Sequence, residues 1–531
     1  MRILNLRAAC LLTVAAFVCG CEQEAVPSPP ARTETESTPA TAEVVADASP
    51  EPAPVSAEAP AVLPVTPPPG LAVTILTGEA PHDEAGHALA GVGDVNGDGL
   101  ADLLIGAWAN DAGGEDAGIA YLILGRREQL PATMSLASAD AAFVGERAGD
   151  YAGFAVAGAG DVNGDGLADL LIGATGNAPA GANSGAAYVI LGRREADWGN
   201  RFSLAEADGK YFGQAGQFAA FSLAGGSDLN SDGLDDFLVG SPRLASGLVW
   251  AVFGRREGWG TPLPLHTNSV AMVGASPGAG AGYSVAAGGD ADGDGVEDGL
   301  VGAWLQAGNE PELGAAHLLL GGSLEHRVSA ALASTECIVF GERPRDSFGH
   351  AVAFAGDVNG DSVADVIVGS PRSQGADFGN PHWAGRGVTS LLLGEAGRWT
   401  VSFSAASADA TFVGEGPGDT SGHSVAGVPD INGDGLDEIL IGAPSNDRAA
   451  SNAGAAYLIR GRREGWRRHM PLSEADLRFT GRAANDKLGS SVTGLGDFNG
   501  DGRGDFAVGA HAADPAGTQS GEVHLVLSAA R

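Results

Sequence analysis

One nine-residue segment occurs seven times in this chain, and its regular spacing restricts the fold more than any other feature. The first copy begins at Asp94 and reads Asp-Val-Asn-Gly-Asp-Gly-Leu-Ala-Asp. A period of about 67 residues is typical of repeat arrays and propellers. We therefore interpret residues 71–531 as seven copies of one unit. The later copies begin, at intervals of 67, 67, 62, 67, 73 and 67 residues, at Asp161, Asp228, Asp290, Asp357, Asp430 and Asp497.

Each unit contains four short runs rich in Val, Ile, Leu, Tyr and Phe, separated by Gly, Asp and Asn. This pattern indicates β-strands, and four antiparallel strands form a propeller blade. The predicted fold is all-β, a single seven-bladed β-propeller. Residues 72–78 resemble a fourth strand and residues 522–527 a third strand, so we expect the N-terminal strand to complete the last blade and close the ring. In the first unit the runs cover residues 87–93, 102–107, 118–125 and 141–146.

The N-terminus predicts export and anchoring. Residues 1–20 combine a basic start with an apolar run, 8–18, that is too short to span a bilayer, as in a secretory signal. Residues 18–21, Val-Cys-Gly-Cys, resemble a bacterial lipobox, which implies lipidation of Cys21; cleavage by signal peptidase I is the alternative. Residues 21–70 hold 12 of the 28 prolines and predict a disordered linker. We expect a lipoprotein anchored to a bacterial outer membrane or cell surface.

Charge excludes one class of partner. The chain has 66 acidic and 30 basic residues, a formal charge of −36. Such a chain repels nucleic acid and anionic lipid head groups, so we expect no nucleic-acid partner and membrane contact only through the anchor. The folded part contains one cysteine, Cys337, which we expect to be buried. We expect a monomer.

The repeated segment predicts a Ca²⁺ site in each unit. Oxygen-bearing side chains occupy positions 1, 3, 5 and 9, and the backbone carbonyl of position 7 can add a further oxygen. Hard oxygen ligands in a Gly-rich turn suit Ca²⁺, so we expect up to seven ions; the alternative is a hairpin of Asx-turns without metal. The predicted ligands are Asp94, Asn96, Asp98, Leu100 and Asp102; Asp161, Asn163, Asp165, Leu167 and Asp169; Asp228, Asn230, Asp232, Leu234 and Asp236; Asp290, Asp292, Asp294, Val296 and Asp298; Asp357, Asn359, Asp361, Val363 and Asp365; Asp430, Asn432, Asp434, Leu436 and Glu438; and Asp497, Asn499, Asp501, Arg503 and Asp505.

Four substitutions distinguish the copies. Asp292 replaces Asn at position 3 and makes the fourth loop more acidic, and Glu438 replaces Asp at position 9 of the sixth. Ser231 and Ser362 replace glycines of the third and fifth loops. We expect these two turns to be the most strained.

Residues 71–531 resemble the FG-GAP repeat family, the seven-bladed propeller of integrin α chains and of many bacterial surface proteins. The naming motifs occur as residues 348–350, Phe-Gly-His, and 442–444, Gly-Ala-Pro. The resemblance implies Ca²⁺ in the loops on one face and ligands on the other. It implies adhesion to, or recognition of, an extracellular protein or glycan.

One connection is longer than its counterparts. Residues 371–387 link the second and third runs of the fifth unit and lie at the end opposite the predicted metal loops, where binding residues concentrate. The alternative is an insertion tolerated at the surface. The candidate ligand-face residues are Arg372, Phe378, His382, Trp383 and Arg386.

The leading functional hypothesis is a Ca²⁺-stabilised binding or adhesion module without enzymatic activity. One alternative is a polysaccharide lyase or hydrolase that uses the central channel. It would need a non-repeated group of acids, or of Tyr, His and Arg, and the sequence does not reveal one. The other alternative is a purely structural envelope protein.

Three further motifs are interpreted as structural. His87, His350 and His423 occupy a position that is Phe, Tyr or Ser elsewhere, which indicates packing. Residues 503–505, Arg-Gly-Asp, end at a predicted metal ligand, so we regard the tripeptide as coincidental. Gly-Arg-Arg-Glu predicts a rim that packs with nearby tryptophans, or a basic ring facing the membrane. It occurs at residues 125–128, 192–195, 254–257 and 461–464.

Overall fold

A computed structural model of the chain describes residues 70–194, 197–243, 245–267, 269–308, 310, 312–322, 329–332, 337–373 and 385–528. The predicted signal segment, Cys21 and the linker up to residue 69 lie outside the described residues, as do Phe378, His382 and Trp383. Within the described part of the chain, no helix is long and apolar enough to cross a membrane.

Seven β-sheets form the blades of a propeller, which confirms the predicted fold. The first strand of each blade lines a central channel of about 570 Å³. These inner strands are β2 (Ala88–Gly93), β7 (Ala152–Gly160), β12 (Ser222–Ser227), β17 (Ala281–Gly289), β22 (Ala351–Gly356), β27 (Ser424–Val428) and β32 (Ser491–Gly496). The second strands are β3 (Asp102–Ala107), β8 (Asp169–Ala174), β13 (Asp236–Ser241), β18 (Asp298–Ala303), β23 (Asp365–Ser370), β28 (Glu438–Ala443) and β33 (Asp505–Ala510).

The third and fourth strands follow antiparallel, so each blade has the predicted four-stranded order. The third strands are β4 (Ile119–Ile123), β9 (Ala186–Ile190), β14 (Leu248–Val252), β19 (Ala315–Leu319), β24 (Val388–Leu392), β29 (Ala455–Ile459) and β34 (Glu522–Ser528). The fourth strands are β6 (Ala141–Val144), β11 (Gly209–Phe212), β16 (Ser269–Val273), β21 (Cys337–Phe340), β26 (Ala410–Val413), β31 (Leu477–Thr480) and, for the seventh blade, β1 (Leu71–Thr77).

The ring closes as the sequence predicts. The strand β1 pairs antiparallel with β34, from Leu71 opposite Ser528 to Thr77 opposite Glu522. The seventh blade is therefore built from both ends of the folded region, which leaves β34 without a free edge.

Within the described residues, a short fifth strand, which the sequence did not predict, extends six of the blades. It comes from the connection between the third and fourth strands of the following blade and pairs parallel with the fourth strand, as Phe202 does opposite Phe143. Short 3₁₀ turns follow several of these strands, as at Leu136–Ser138 and Leu472–Glu474. The fifth strands are β5 (Thr133–Ser135), β10 (Phe202–Ser203), β15 (Leu263–Pro264), β20 (Ser329–Ala331), β25 (Phe403–Ser404) and β30 (Met470–Pro471).

The hydrophobic core is divided into seven layers, each between two neighbouring blades. In one layer Leu104 of the first blade packs with Ile172 of the second. The second strands carry a glycine where the backbone of the next blade comes closest: a Cβ on Gly106 would clash with the carbonyl oxygen of Gly153. Cys337 is fully buried, as predicted, and burial raises the pKa of its thiol to about 12.

Candidate metal centres and the opposite face

The repeated loops join the inner strands to the second strands at one end of the channel. In the first loop the carboxylate of Asp94 organises the turn: Oδ1 accepts hydrogen bonds from the N–H groups of Gly97 (2.6 Å) and Asp98 (3.0 Å), and Oδ2 from Gly99 (2.8 Å). Asn96 Oδ1 accepts from the Asp98 N–H, and Asp98 Oδ1 accepts from the Leu100 N–H. Positions 1, 3 and 5 are thereby held on the inner side of one tight turn.

Position 9 is the first residue of each second strand and is buried in all seven loops. Asp102 accepts hydrogen bonds from the N–H groups of Val95 (3.0 Å) and Gly125 (2.7 Å). Burial raises the pKa of Asp102 to about 7, and that of Glu438 in the sixth loop to about 8. A cation bound nearby would favour the charged form of such a carboxyl group.

Two loops bring three carboxylates together among the described residues. In the fourth loop these are Asp290, Asp292 and Asp294, whose nearest oxygens lie within 4.8 Å of one another. The sixth loop assembles Asp430, Asp434 and Glu438 in the same way. Glu438, which replaces the usual Asp at position 9, is a member of this group. These acidic clusters are compatible with Ca²⁺ sites.

The third loop contains a buried carboxylate oxygen without a partner. Asp236, at position 9, is fully buried, and its Oδ1 accepts from the Gly254 N–H at 2.9 Å. No hydrogen bond of normal geometry reaches Oδ2 within the described part of the chain. Burial raises the pKa of this carboxyl group, and the Leu229 N–H lies close enough to lower that pKa slightly. Leu229, whose equivalents donate to this oxygen in other loops, donates instead to Ser227. A buried unpaired carboxylate oxygen is costly and is usually satisfied by an ion or water.

The two serine substitutions do strain their turns. Positions 4 and 6 adopt left-handed conformations in the loops, with φ of 78° at Gly97 and 84° at Gly99. Ser231 adopts φ of 62° and Ser362 φ of 70°. The left-handed conformation costs a residue with a Cβ about 1 kcal/mol, whereas it costs glycine almost nothing. The prediction of strain at these two positions is confirmed.

Replacing Ser362 by Gly is expected to raise the free energy of unfolding by about 0.5–1 kcal/mol, because the left-handed strain is relieved. Urea unfolding of the two proteins at saturating Ca²⁺ measures the difference. The reverse change in the sixth loop, Gly435→Ser, is the matched control and should destabilise by a similar amount, since Gly435 has φ of 80°. Equal stability of the Ser362→Gly variant and the parent would contradict the strain argument.

The sequence of these repeats matches that of a known family in five places. The profile of the FG-GAP repeat matches residues 85–123, 152–190, 348–385, 421–459 and 488–526. The first match runs from just before β2 to the end of β4 and so includes the first metal loop. The chain carries FG-GAP repeats.

Several integrin α chains are similar in sequence to parts of this chain. The chain is 31% identical to integrin alpha pat-2 of Caenorhabditis briggsae over 248 residues, 44% of this chain and 18% of the relative. It is 34% identical to integrin alpha-PS2 of Drosophila melanogaster over 169 residues, 30% of this chain and 10% of the relative. The chain therefore spans less than a fifth of the length of these relatives. Among solved structures, it is similar to one described as "Structure of Dos1 propeller", with a TM-score of 0.41 and 11% identity over 87% of this chain and 96% of that chain.

At the end of the channel opposite the metal loops, six of the blades place ring side chains that contact one another in tilted pairs. Consecutive ring centroids lie 4.8–5.2 Å apart. The seventh place holds Ser490, and His511 contacts His87 beside this gap at 5.7 Å. The predicted packing role of the three histidines is confirmed, but they pack on neighbouring blades around the channel. The six rings are His87, Phe154, Phe221, Tyr283, His350 and His423.

Two tryptophans and an arginine extend this ring outward. Trp108 contacts Tyr151 at 5.3 Å and donates to Glu84. The guanidinium of Arg372 lies 5.1 Å from the ring centroid of Trp304. Of the predicted ligand-face residues that the structure describes, Arg372 therefore joins this cluster. Arg386 instead donates to the carbonyl of Glu415.

Acid is expected to weaken the fold through this ring. Burial lowers the pKa of His350 and His423, and the neighbouring cations Arg372 and Lys487 add to the effect; Tyr283 also packs on His350. Unfolded histidine has a pKa of about 6.5. As pH falls from about 6.5 toward 4, the histidines of the unfolded chain therefore bind protons, whereas the same histidines in the folded ring stay neutral. The free energy of unfolding should decline over this range, by about 1 kcal/mol per histidine.

A double variant, His350→Phe with His423→Phe, tests this prediction, since Phe154 and Phe221 occupy the same position in other blades. Urea unfolding at pH 7 and pH 5 with saturating Ca²⁺ should show a smaller loss of stability in the variant than in the parent. His87 is left in place because Glu84, 4.0 Å away, faces it with an opposing charge. An identical loss in both proteins would rule out the ring as the cause.

The first arginine of Gly-Arg-Arg-Glu forms the predicted rim. Arg255 lies 4.5 Å from the ring centroid of Trp259, and Arg462 lies 5.0 Å from that of Trp466. Both arginines lie in the connection between the third and fourth strands of their blades, at the end of the channel where the metal loops lie. The Arg-Gly-Asp tripeptide is also structural, because Asp505 is fully buried and accepts from the Phe498 and Ser528 N–H groups.

Sequence reasoning missed one non-repeated polar group. Arg482 and His524 both contact the carboxylate of Glu522, with 2.8 Å between His524 Nε2 and Glu522 Oε1. Glu522 and His524 are at most 1% exposed. Glu522 and His524 lie two residues apart on β34 of the seventh blade, and Arg482 reaches Glu522 from the connection that follows β31 of the sixth blade. The burial of this group suits a structural ion-pair network better than a reaction centre.

Proposed function

We propose that this chain is a Ca²⁺-binding surface or envelope lipoprotein. Its propeller binds an extracellular protein or glycan with the face opposite the metal loops. The FG-GAP repeats, the acidic clusters and the aromatic ring support this proposal. The proposed role is binding without catalysis.

The calcium part rests on the chemistry of the loops. The unpaired buried Oδ2 of Asp236 and the three-carboxylate groups fit a hard divalent cation. The side chains of positions 1, 3, 5 and 9 and the carbonyl of position 7 would hold the ion, up to seven per chain. The ion supplies positive charge that offsets the repulsion between the carboxylates. At 100 times its Kd, one ion adds about 2.7 kcal/mol to the free energy of unfolding.

The binding part rests on one observation, the row of six tilted rings that runs around the channel, interrupted at Ser490, at the end opposite the metal loops. Aromatic side chains and arginine are the residues that most often carry binding energy at interfaces. Arg372 and Trp304 lie together beside the ring. Partner residues that approach this face would contact rings already held by their neighbours, at a low cost in conformational entropy.

The anchoring part rests on the N-terminal sequence alone. We propose that residues 1–20 direct export, that Cys21 carries the lipid, and that residues 21–70 act as a flexible tether at a bacterial outer membrane or cell surface. Cys21→Ala should release the protein from the membrane fraction and abolish incorporation of labelled fatty acid. Incorporation into the Cys21→Ala variant would contradict lipidation at this residue.

The binding face is tested with the full mature chain as a monomer, probed against a glycan panel and against cells, with Ca²⁺ or with chelator. The double variant Trp304→Ala with Arg372→Ala should reduce binding at least tenfold. Arg467→Ala is the matched control, because Arg467 is an exposed residue at the metal-loop end. Unchanged binding by the double variant would refute the proposed face. Calcium-dependent stability without any binding would favour a structural role, and release of sugar fragments would favour a polysaccharide-active enzyme.

A further inference from the structure

The second arginine of each Gly-Arg-Arg-Glu motif does not join the rim. It reaches across the blade boundary to the metal loop of the preceding blade. Arg127 Nη1 of the first blade donates to the carbonyl of Gly500 in the seventh loop at 2.8 Å. Arg463 Nη1 of the sixth blade donates to the carbonyl of Gly360 in the fifth loop at 3.2 Å.

In the other two motifs the second arginine lies against the same position of a metal loop, position 4. A Cβ built on Gly97 of the first loop would lie 3.1 Å from Nη1 of Arg194, in the second blade. A Cβ on Gly164 of the second loop would collide with Arg256, in the third blade. Each contact therefore runs from one blade to position 4 of the preceding loop. In the fifth blade Ala396 takes the place of this arginine, and the loop it would have reached is the fourth, which has three carboxylates.

The contacted peptide group directly precedes a predicted ligand. In the fifth loop the Gly360 carbonyl accepts from Arg463. The N–H on the other side of the same peptide, that of Asp361, donates to Asp357 Oδ1 (3.1 Å) and Asn359 Oδ1 (2.8 Å). The carbonyl and N–H of a trans peptide point in opposite directions. The arginine therefore binds the carbonyl on the outer side of the loop, and the side chains of Asp357 and Asn359 bind the N–H on the inner side. This sets the orientation of Asp361, at position 5.

We propose that the second arginine is a positioning residue for the metal loop of the preceding blade. It acts through the peptide between positions 4 and 5, and Arg463 serves the fifth loop. This inference rests on the proposed Ca²⁺ binding. In the fifth loop the contact lies beside a strained turn, because Ser362, which follows Asp361, adopts a left-handed conformation (φ 70°) although it carries a Cβ.

Charge alone would have the opposite effect. A unit positive charge and a divalent cation about 8 Å apart in water repel by about 1 kcal/mol. If the arginine acted only through its charge, its removal would strengthen Ca²⁺ binding. If it positions the ligand at position 5, its removal weakens binding. The direction of the change separates the two roles.

The test is hydrogen–deuterium exchange of the full chain during Ca²⁺ titration, read locally by mass spectrometry. In Arg463→Met, the Ca²⁺ concentration that half-protects residues 357–365 should rise about three- to tenfold. Residues 430–438, in the blade that carries Arg463, should keep their midpoint. Arg463→Lys should restore part of the affinity because it keeps a donor. Arg462→Met, in the same motif, should lower overall stability without moving the midpoint of the fifth loop.

An unchanged or lower midpoint at residues 357–365 in Arg463→Met would overturn the inference, as would a shift confined to residues 430–438. Arg127→Met, read at residues 497–505, provides an independent second site and should show the same rise. If the unaltered protein shows no Ca²⁺-dependent protection in any loop, the Ca²⁺ proposal fails as well. If the unaltered protein is protected and the variants match it, only the positioning role fails.

Discussion

Replacing Asp430 by Ala is expected to lower the free energy of unfolding by about 3 kcal/mol or more at saturating Ca²⁺. Oδ1 of Asp430 accepts from the Gly433 N–H at 2.6 Å, and Oδ2 accepts from the Gly435 N–H at 2.7 Å. Each lost hydrogen bond costs about 1 kcal/mol. The change also removes the first of three clustered carboxylates, and with it the stabilisation by a bound ion, about 2.7 kcal/mol at 100 times the Kd.

The two contributions are separated by chelation. After removal of Ca²⁺, Asp430→Ala should lose only the hydrogen-bond part, so the difference from the parent becomes smaller. Asp430→Asn keeps an acceptor oxygen but lacks the charge, and its defect should be confined to the Ca²⁺-loaded protein. Glu464→Ala, which removes an exposed acid outside the loops, is the control and should be neutral in both conditions. An equal loss with and without Ca²⁺ would show that the loop acts only as a turn.

Removing β1 is expected to abolish cooperative folding of the ring. All seven residues of β34 are buried, and β1 covers one edge of that strand through seven opposed pairs. Leu76 is fully buried in the layer between the seventh and first blades, where it packs with Leu103 and Val523. Without β1 that layer loses the contacts of Leu76, and β34 becomes an exposed edge that can pair with another chain.

Three variants test this prediction at different strengths. Deletion of residues 71–77 should give a protein that aggregates on size-exclusion chromatography and lacks a sharp thermal transition. Leu76→Ala should fold but lose about 3 kcal/mol, the usual cost of a cavity of that size. Thr77→Ala, at the half-buried end of the strand, should cost less than 1 kcal/mol. A sharp thermal transition in the deletion variant at the temperature of the parent would contradict closure by β1.

The repeat was enough to predict the blades because each unit shows the same strand and turn chemistry. Closure could be predicted because residues 72–78 resemble the fourth strand of a blade but precede the first complete unit. The fifth strands could not be predicted, because two- or three-residue segments such as Phe202–Ser203 become strands only against the edge of another blade.

The contacts between neighbouring blades at the sites could not be predicted either, because they form only in the folded ring. Loop spacing predicted which oxygens could bind metal, but it did not show that Arg463 contacts a loop about one hundred residues earlier in the chain. The sequence identified His350 as a packing residue. It did not show that the equivalent residues of six blades touch in succession, which requires a closed ring. Arg482 and Glu522, 40 residues apart, also meet only in the folded blade.

The most direct test of the account is to count the metal ions and melt the protein in the same preparation. Native mass spectrometry of the mature chain with Ca²⁺ should show up to seven bound ions, and excess EGTA should remove them. Thermal unfolding should then shift to a markedly lower temperature, since each ion bound only to the folded state adds to its stability. No bound metal and an unchanged melting temperature would contradict the account, and the seven loops would then be turns alone.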